Sequence, residues 1–152
     1  MKEYIILEII PSTSTRKTGN ILQIQALKLN ELKLISRFDY RLDIPVNNSD
    51  LLNMISYDKE NFTYVKDEVQ LIKEFKDFIK DLPLLIIDNS YTLDYLDEFN
   101  NSKESIFKYL NLEYSLDIFD KIITKYNLEP SNNLVDLLYE ALIYESNNKK
   151  SS

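Results

Sequence analysis

The stretch Tyr4-Ile5-Ile6-Leu7-Glu8-Ile9-Ile10 constrains the fold most. It is apolar except at Glu8, and β-branched Ile dominates it. A short run of this kind fits a strand covered on both faces, which requires a sheet with packing layers above and below. An unpaired buried charge is costly, so the lone carboxylate is one of three things. It is a functional group, the partner of a nearby Lys, or a group at a solvent-reaching strand end. Pro11 ends the run, and 12–20 is a polar loop by composition. The spacing predicts a second strand over 21–29, where Leu22, Ile24 and Ala26 alternate with Gln23, Gln25 and Leu27. After a turn near Asn30 a third strand is predicted over 33–42, with Leu34, Ser36, Phe38 and Tyr40 on one face. The three read as an antiparallel meander.

The rest of the chain mixes periods. Residues 44–61 read as irregular or short-helical. Asp67 reads as a helix N-cap. Val69, Ile72, Phe75, Phe78 and Ile79 recur at helical spacing, which predicts a helix over 68–81. Pro83 stops it, and 84–87 is a short apolar strand ending at Asp88-Asn89-Ser90. A helix over 91–100 presents Leu93 and Leu96 together. A last short strand is predicted over 105–110. Ser115 reads as the cap of a helix with Leu116, Phe119, Ile122, Ile123 and Tyr126 as its stripe. Pro130 breaks that helix, and the final one, over 132–144, turns Leu134, Leu137, Leu138, Ala141 and Leu142 inward. The expectation is one α/β domain over 1–146, with a mixed sheet flanked by helices, and a mobile tail over 147–152.

Composition narrows the chemistry. The chain has 152 residues, 18 Lys+Arg against 25 Asp+Glu, a formal charge of −7, His 0, Cys 0 and Gly 1. These absences exclude an N/S zinc site, an imidazole base, a Cys or Ser–His nucleophile and any disulfide. A single glycine excludes a glycine-rich phosphate loop. Catalysis in such a chain runs on carboxylates, Lys, Tyr, Ser or Thr, with a hard metal held through oxygen. No apolar run approaches the ~20 residues of a membrane helix. The first ten residues lack a small-residue cleavage site and read as a strand rather than a signal peptide. The expectation is therefore a cytoplasmic protein without membrane contact. The negative charge disfavours broad nucleic-acid binding, though it leaves room for a local basic patch.

Several phrases fall in a recognisable order. Ile5-Ile6-Leu7-Glu8-Ile9-Ile10 stands where one family has a first strand ending in Asp-x-Glu-Thr. Residues 21–29 are similar to that family's Ile-Ile-Glu-Ile-Gly-Ala-Val-Lys-Leu strand, with Gln25 on its Gly. Residues 75–87 match a helix, Asp-x-Pro and a Leu-Val-Ala-His-Asn strand, with Asp88-Asn89 on the His-Asn pair. Residues 127–141 match a closing His-x-x-x-x-Asp-Ala helix, with Asp136 on its Asp. Over nearly its whole length the chain thus resembles the DnaQ-like 3′–5′ exonucleases.

The resemblance implies a ribonuclease H-like fold. Its mixed five-stranded sheet would hold an antiparallel three-strand meander plus parallel strands. The family's chemistry uses four carboxylates on two divalent metals about 3.5–4 Å apart, with a His or Tyr steering the water. Carried onto this chain, Glu8 replaces the first Asp and Ile10 the Glu. The next Asp falls on Leu93, beside Asp94, and Asp136 keeps the last. The base falls on Ser131 in one branch and on Asn132 in the other, and neither is a base at neutral pH. The remnant metal-ligand positions are Glu8, Asp94 and Asp136, with Asp88 as a helper and Asn89 as a nucleic-acid contact. Out of context, Asp88-Asn89-Ser90 is a turn and helix cap, Asp136 is solvated surface and Ile10 is packing core.

This eroded set leads to the expectation of a catalytically degenerate, exonuclease-like domain that binds another protein in a nucleic-acid-related process. No cofactor is expected. The alternatives are a residual Mg²⁺- or Mn²⁺-dependent 3′–5′ exonuclease on single-stranded DNA or RNA, and a nucleic-acid-binding module that no longer cuts.

Overall fold

The computed structural model describes residues 2–13, 15–43, 62–88, 90–131 and 133–151. Strands β1 (Glu3–Pro11), β2 (Ile21–Asn30) and β3 (Lys33–Leu42) come first, then β4 (Thr63–Val65) and helix α1 (Glu68–Ile79). Strand β5 (Leu84–Ile86), helix α2 (Ser90–Leu96) and strand β6 (Lys103–Ser105) follow. Helices α3 (Phe107–Leu110), α4 (Ile118–Tyr126) and α5 (Leu134–Ser151) complete the chain. The sheet order is β4-β3-β2-β1-β5-β6. β1, β2 and β3 pair antiparallel, while β5 runs parallel to β1, β6 to β5 and β4 to β3.

The molecule is thus an α/β domain on a mixed sheet of six strands rather than five. The extra strand is β4, whose Thr63 pairs with Tyr40. Three residues are too few to show an alternation. The strand expected over 105–110 is also displaced. β6 ends at Ser105, and Phe107 and Leu110, three apart, bury one side of the short α3. The segment 44–61 lies outside the described residues.

Alternation along the central strands sends side chains into two cores. Ile5, Leu7 and Ile9 pack with Leu22, Ile24 and Ala26 against Phe75 of α1 and Tyr95 of α2. Tyr4, Ile6, Leu27 and Leu29 pack on the other face against Ile122 of α4 and Leu137, Leu138 and Ala141 of α5. β1 is buried from Tyr4 onward, as the opening run requires. A register shift between Lys28 and Leu29 changes the phase of β3. Leu34 therefore joins the α5 face, opposite Phe38 and Tyr40.

Asp67 caps α1, its Oδ1 accepting from the Gln70 N–H at 2.9 Å. Two helix faces differ from expectation. In α2, Thr92, Tyr95 and Leu96 turn inward while Leu93 is exposed. α4 starts at Ile118, because the Ser115 hydroxyl bonds the Asp117 carboxylate and caps no backbone N–H. That turn leaves Leu116 98% exposed instead of in the stripe. Asn133 caps α5, its Oδ1 accepting from the Asp136 N–H at 3.1 Å. α5 then runs through Ser151, past the expected end at Tyr144. No described helix is long and apolar enough to cross a membrane.

Candidate functional site

Glu8 points to the α5 face, where the sheet turns polar. Pairing aligns Glu8 with Gln25 and Gln25 with Asp39, one row across three strands. The next row is Ile10, Gln23 and Arg41. Glu8, Gln23, Gln25 and Arg41 are all buried. Gln23 Nε2 donates to Gln25 Oε1 at 3.4 Å, and Gln25 Nε2 donates to Asp39 Oδ1 at 3.3 Å. Arg37 Nε donates to the other Asp39 oxygen at 3.3 Å.

From Arg37 the row reaches α5. Its two terminal nitrogens donate to the two Asp136 oxygens at 2.8 and 3.2 Å. Asp136 sits in the first turn of α5, where the helix dipole favours an anion. Hydrogen bonding to Asp136 holds the Arg37 guanidinium more firmly protonated than usual. A planar guanidinium on a carboxylate is a strong, directional pair, and it closes both oxygens of Asp136.

Among the described residues Glu8 has no such partner. Its Oε1 and that of Gln23 are buried and accept no hydrogen bond from the described residues. Burial pushes the Glu8 carboxyl up to about 7. Desolvation disfavours the charged form. Glu8 is buried within β1 rather than at an open strand end, and among the described residues no Lys pairs with it. Arg41 lies 5.3 Å from the centre of the Phe62 ring and 5.7 Å from that of Tyr64.

Asp94 belongs to a different cluster. α2 packs on the face opposite α5, and Asp94 Oδ2 accepts from the Arg16 backbone N–H at 2.6 Å. The Arg16 guanidinium forks onto Glu68 at 2.6 and 2.9 Å and reaches Glu98 at 3.1 Å. Glu8 and Asp136 therefore share one face, where a hydrogen-bonded row runs from Gln25 through Asp39 and Arg37 to Asp136 with Glu8 aligned beside it, while Asp94 stands on the other. Asp88 is exposed beyond β5, and Ser131 is exposed ahead of α5. Ile10 is buried, as packing requires. Asn89 and Asn132 lie outside the described residues.

The carboxylates named for a metal do not converge on one point. A divalent site needs several oxygens converging on one point. Here Asp136 is tied to Arg37, Asp94 lies across the sheet, Asp88 is exposed beyond β5 and Glu8 Oε1 has no partner among the described residues. Among the described residues no group of three His, Cys, Asp or Glu side chains could hold a metal ion.

Sequence reasoning missed Arg37, Asp39 and Arg41. The signal was present, since the three alternate along β3 and so share one face. The partner of Arg37 on α5, 99 residues away, left no local trace. The fold and site define an α/β domain with a polar row crossing one sheet face to the first turn of its last helix. No known family model matches the chain, and no curated protein matches it.

Proposed function

We propose that the protein is a catalytically degenerate, exonuclease-like domain that works by binding a protein partner, in a process linked to nucleic acid. The bidentate Arg37–Asp136 pair carries this reading. In a two-metal nuclease the last Asp must offer its oxygens to a cation. Here the chain supplies that cation itself. The sheet supports the resemblance behind the proposal, since an antiparallel meander is continued on the β1 side by two parallel strands. The side chains at the base and second-acid positions, Ser131 and Ile10, support loss of cleavage.

A residual Mg²⁺- or Mn²⁺-dependent 3′–5′ exonuclease is the second reading. It is favoured by the unmatched Glu8 and Gln23 oxygens, which a hard cation would satisfy. One experiment separates the two. Mn²⁺ is titrated into the protein by electron paramagnetic resonance. Cleavage of single-stranded DNA and RNA is then compared between wild type and Asp136→Asn. The first reading expects no saturable Mn²⁺ site and no cleavage that the substitution removes. Metal-dependent cleavage lost in Asp136→Asn would establish the second reading instead. Equal cleavage in both proteins would assign it to another site or a contaminant.

A further inference from the structure

The Arg37–Asp136 pair lines a cleft of about 500 Å³ between β3, the α4–α5 connection and α5. Leu34, Pro130, Tyr139 and Ile143 give it apolar walls. The Tyr139 hydroxyl is already used, donating to the Leu32 carbonyl at 2.7 Å. Glu129 and Glu140 stand exposed at the rim. Neither forms an ion pair with a described residue, whereas the Asp136 charge is matched by Arg37.

From this geometry we infer that the cleft receives a lysine or arginine side chain presented by a basic segment of the partner protein. This rests on the reading that the protein acts by binding a partner, and it names the chemistry of that partner. A long basic side chain lays its methylenes on apolar walls and keeps its charge at a wet rim. The walls and rim of this cleft offer those two surfaces in that order. The Tyr139 ring adds an aromatic wall of the kind that attracts cations. Two unmatched carboxylates set the sign of the local field, and the −7 charge of the whole chain agrees with it. The same field repels phosphates, so a nucleic-acid strand is the wrong occupant for this cleft.

The probe is a short fluorescein-labelled peptide of Lys, Leu and Ser, compared with its counterpart carrying Glu for every Lys. Binding is read by anisotropy and located by amide chemical-shift changes in the full chain. The Lys peptide is expected to bind with shifts centred on Leu34 and the Glu129–Glu140 region. Its affinity should fall with salt and drop on the order of tenfold in Glu129→Gln/Glu140→Gln. The control Asp97→Asn/Glu113→Gln removes the same charge from exposed positions away from the cleft and should bind like wild type. Both double variants should melt like wild type, since all four side chains are exposed. Equal losses in the two variants, shifts elsewhere, no binding, equal binding of the Glu peptide, or displacement by single-stranded DNA would each overturn the inference. None of these bears on metal-dependent cleavage, so the inference and the reading beneath it fail by different signs.

Discussion

Glu8 is an acid that folding nearly strips of water. Its carboxyl titrates near 7 in the folded chain against about 4.5 when solvated, so the native state holds its proton more tightly. A raised value in an acid means stability is fully present below about 4.5 and is lost as pH rises through about 7. A tenfold change in proton affinity is worth ~1.4 kcal/mol, so the loss from acid to mildly basic pH is about 3 kcal/mol. Glu8→Gln keeps the shape and removes the ionisation. Urea melts of the variant should be nearly flat from about pH 5 to 8, and it should exceed wild type at pH 8 by about 1–3 kcal/mol. A wild-type-like slope in the variant would show that another group sets the pH dependence. Glycine acts at the same scale. A Cβ at Gly19 would run into the Tyr95 hydroxyl and Thr13 Oγ1, so the chain's only glycine lets a loop close around a buried tyrosine.

At the scale of elements, hydrophobic spacing was most legible where it repeats. The stripe of α5 and the alternation of β2 follow from period alone, and the unbroken apolar run of β1 marks a strand buried on both faces, because each has enough residues to show it. Leu116 was misread because it is one turn too early. A side-chain bond between Ser115 and Asp117 organises that turn, and no period reports it. Leu34 was misread because a register shift reverses its face, and bulges leave no mark in a hydrophobic pattern. Leu93 was misread because the spacing that buries Leu96 runs through Thr92 and Tyr95, one polar and one amphipathic. These assignments make a paired prediction. Leu116→Ser should change the unfolding free energy by less than ~0.5 kcal/mol, as a free surface position does. Leu137→Ala empties fully buried space on α5 and should cost about 2–5 kcal/mol. Chemical denaturation measures both, and a comparable loss in the two would place Leu116 in the core after all.

Across the whole molecule, each face of the sheet carries an arginine latch. On one face Arg16 ties the β1–β2 connection to Glu68 of α1, and to Asp94 of α2 through its backbone. On the other, Arg37 ties β3 to α5. Neither latch was legible as a pair, because each joins segments far apart in the chain and ordinary in composition. The alternation of Arg37, Asp39 and Arg41 along β3 was the one trace of the Arg37 latch in the sequence, and it went unread. The division also decides how the candidate site reads. A carboxylate set spread over two faces cannot act as one site unless the sheet couples them. Apolar packed cores lie on both faces of the sheet, and the hydrogen bonds of the Arg16 cluster among the described residues do not link it to Arg37. Arg16→Met and Arg37→Met should therefore act independently. Each removes a partly exposed, solvent-screened forked pair and should cost about 0.5–1 kcal/mol. The double variant should lose the sum to within ~0.5 kcal/mol, as distant sites without shared partners do. Urea unfolding of the four proteins closes this cycle. A coupling above ~1 kcal/mol would mean the two faces respond as one unit, and Asp94 would then rejoin Glu8 and Asp136 as part of a single device.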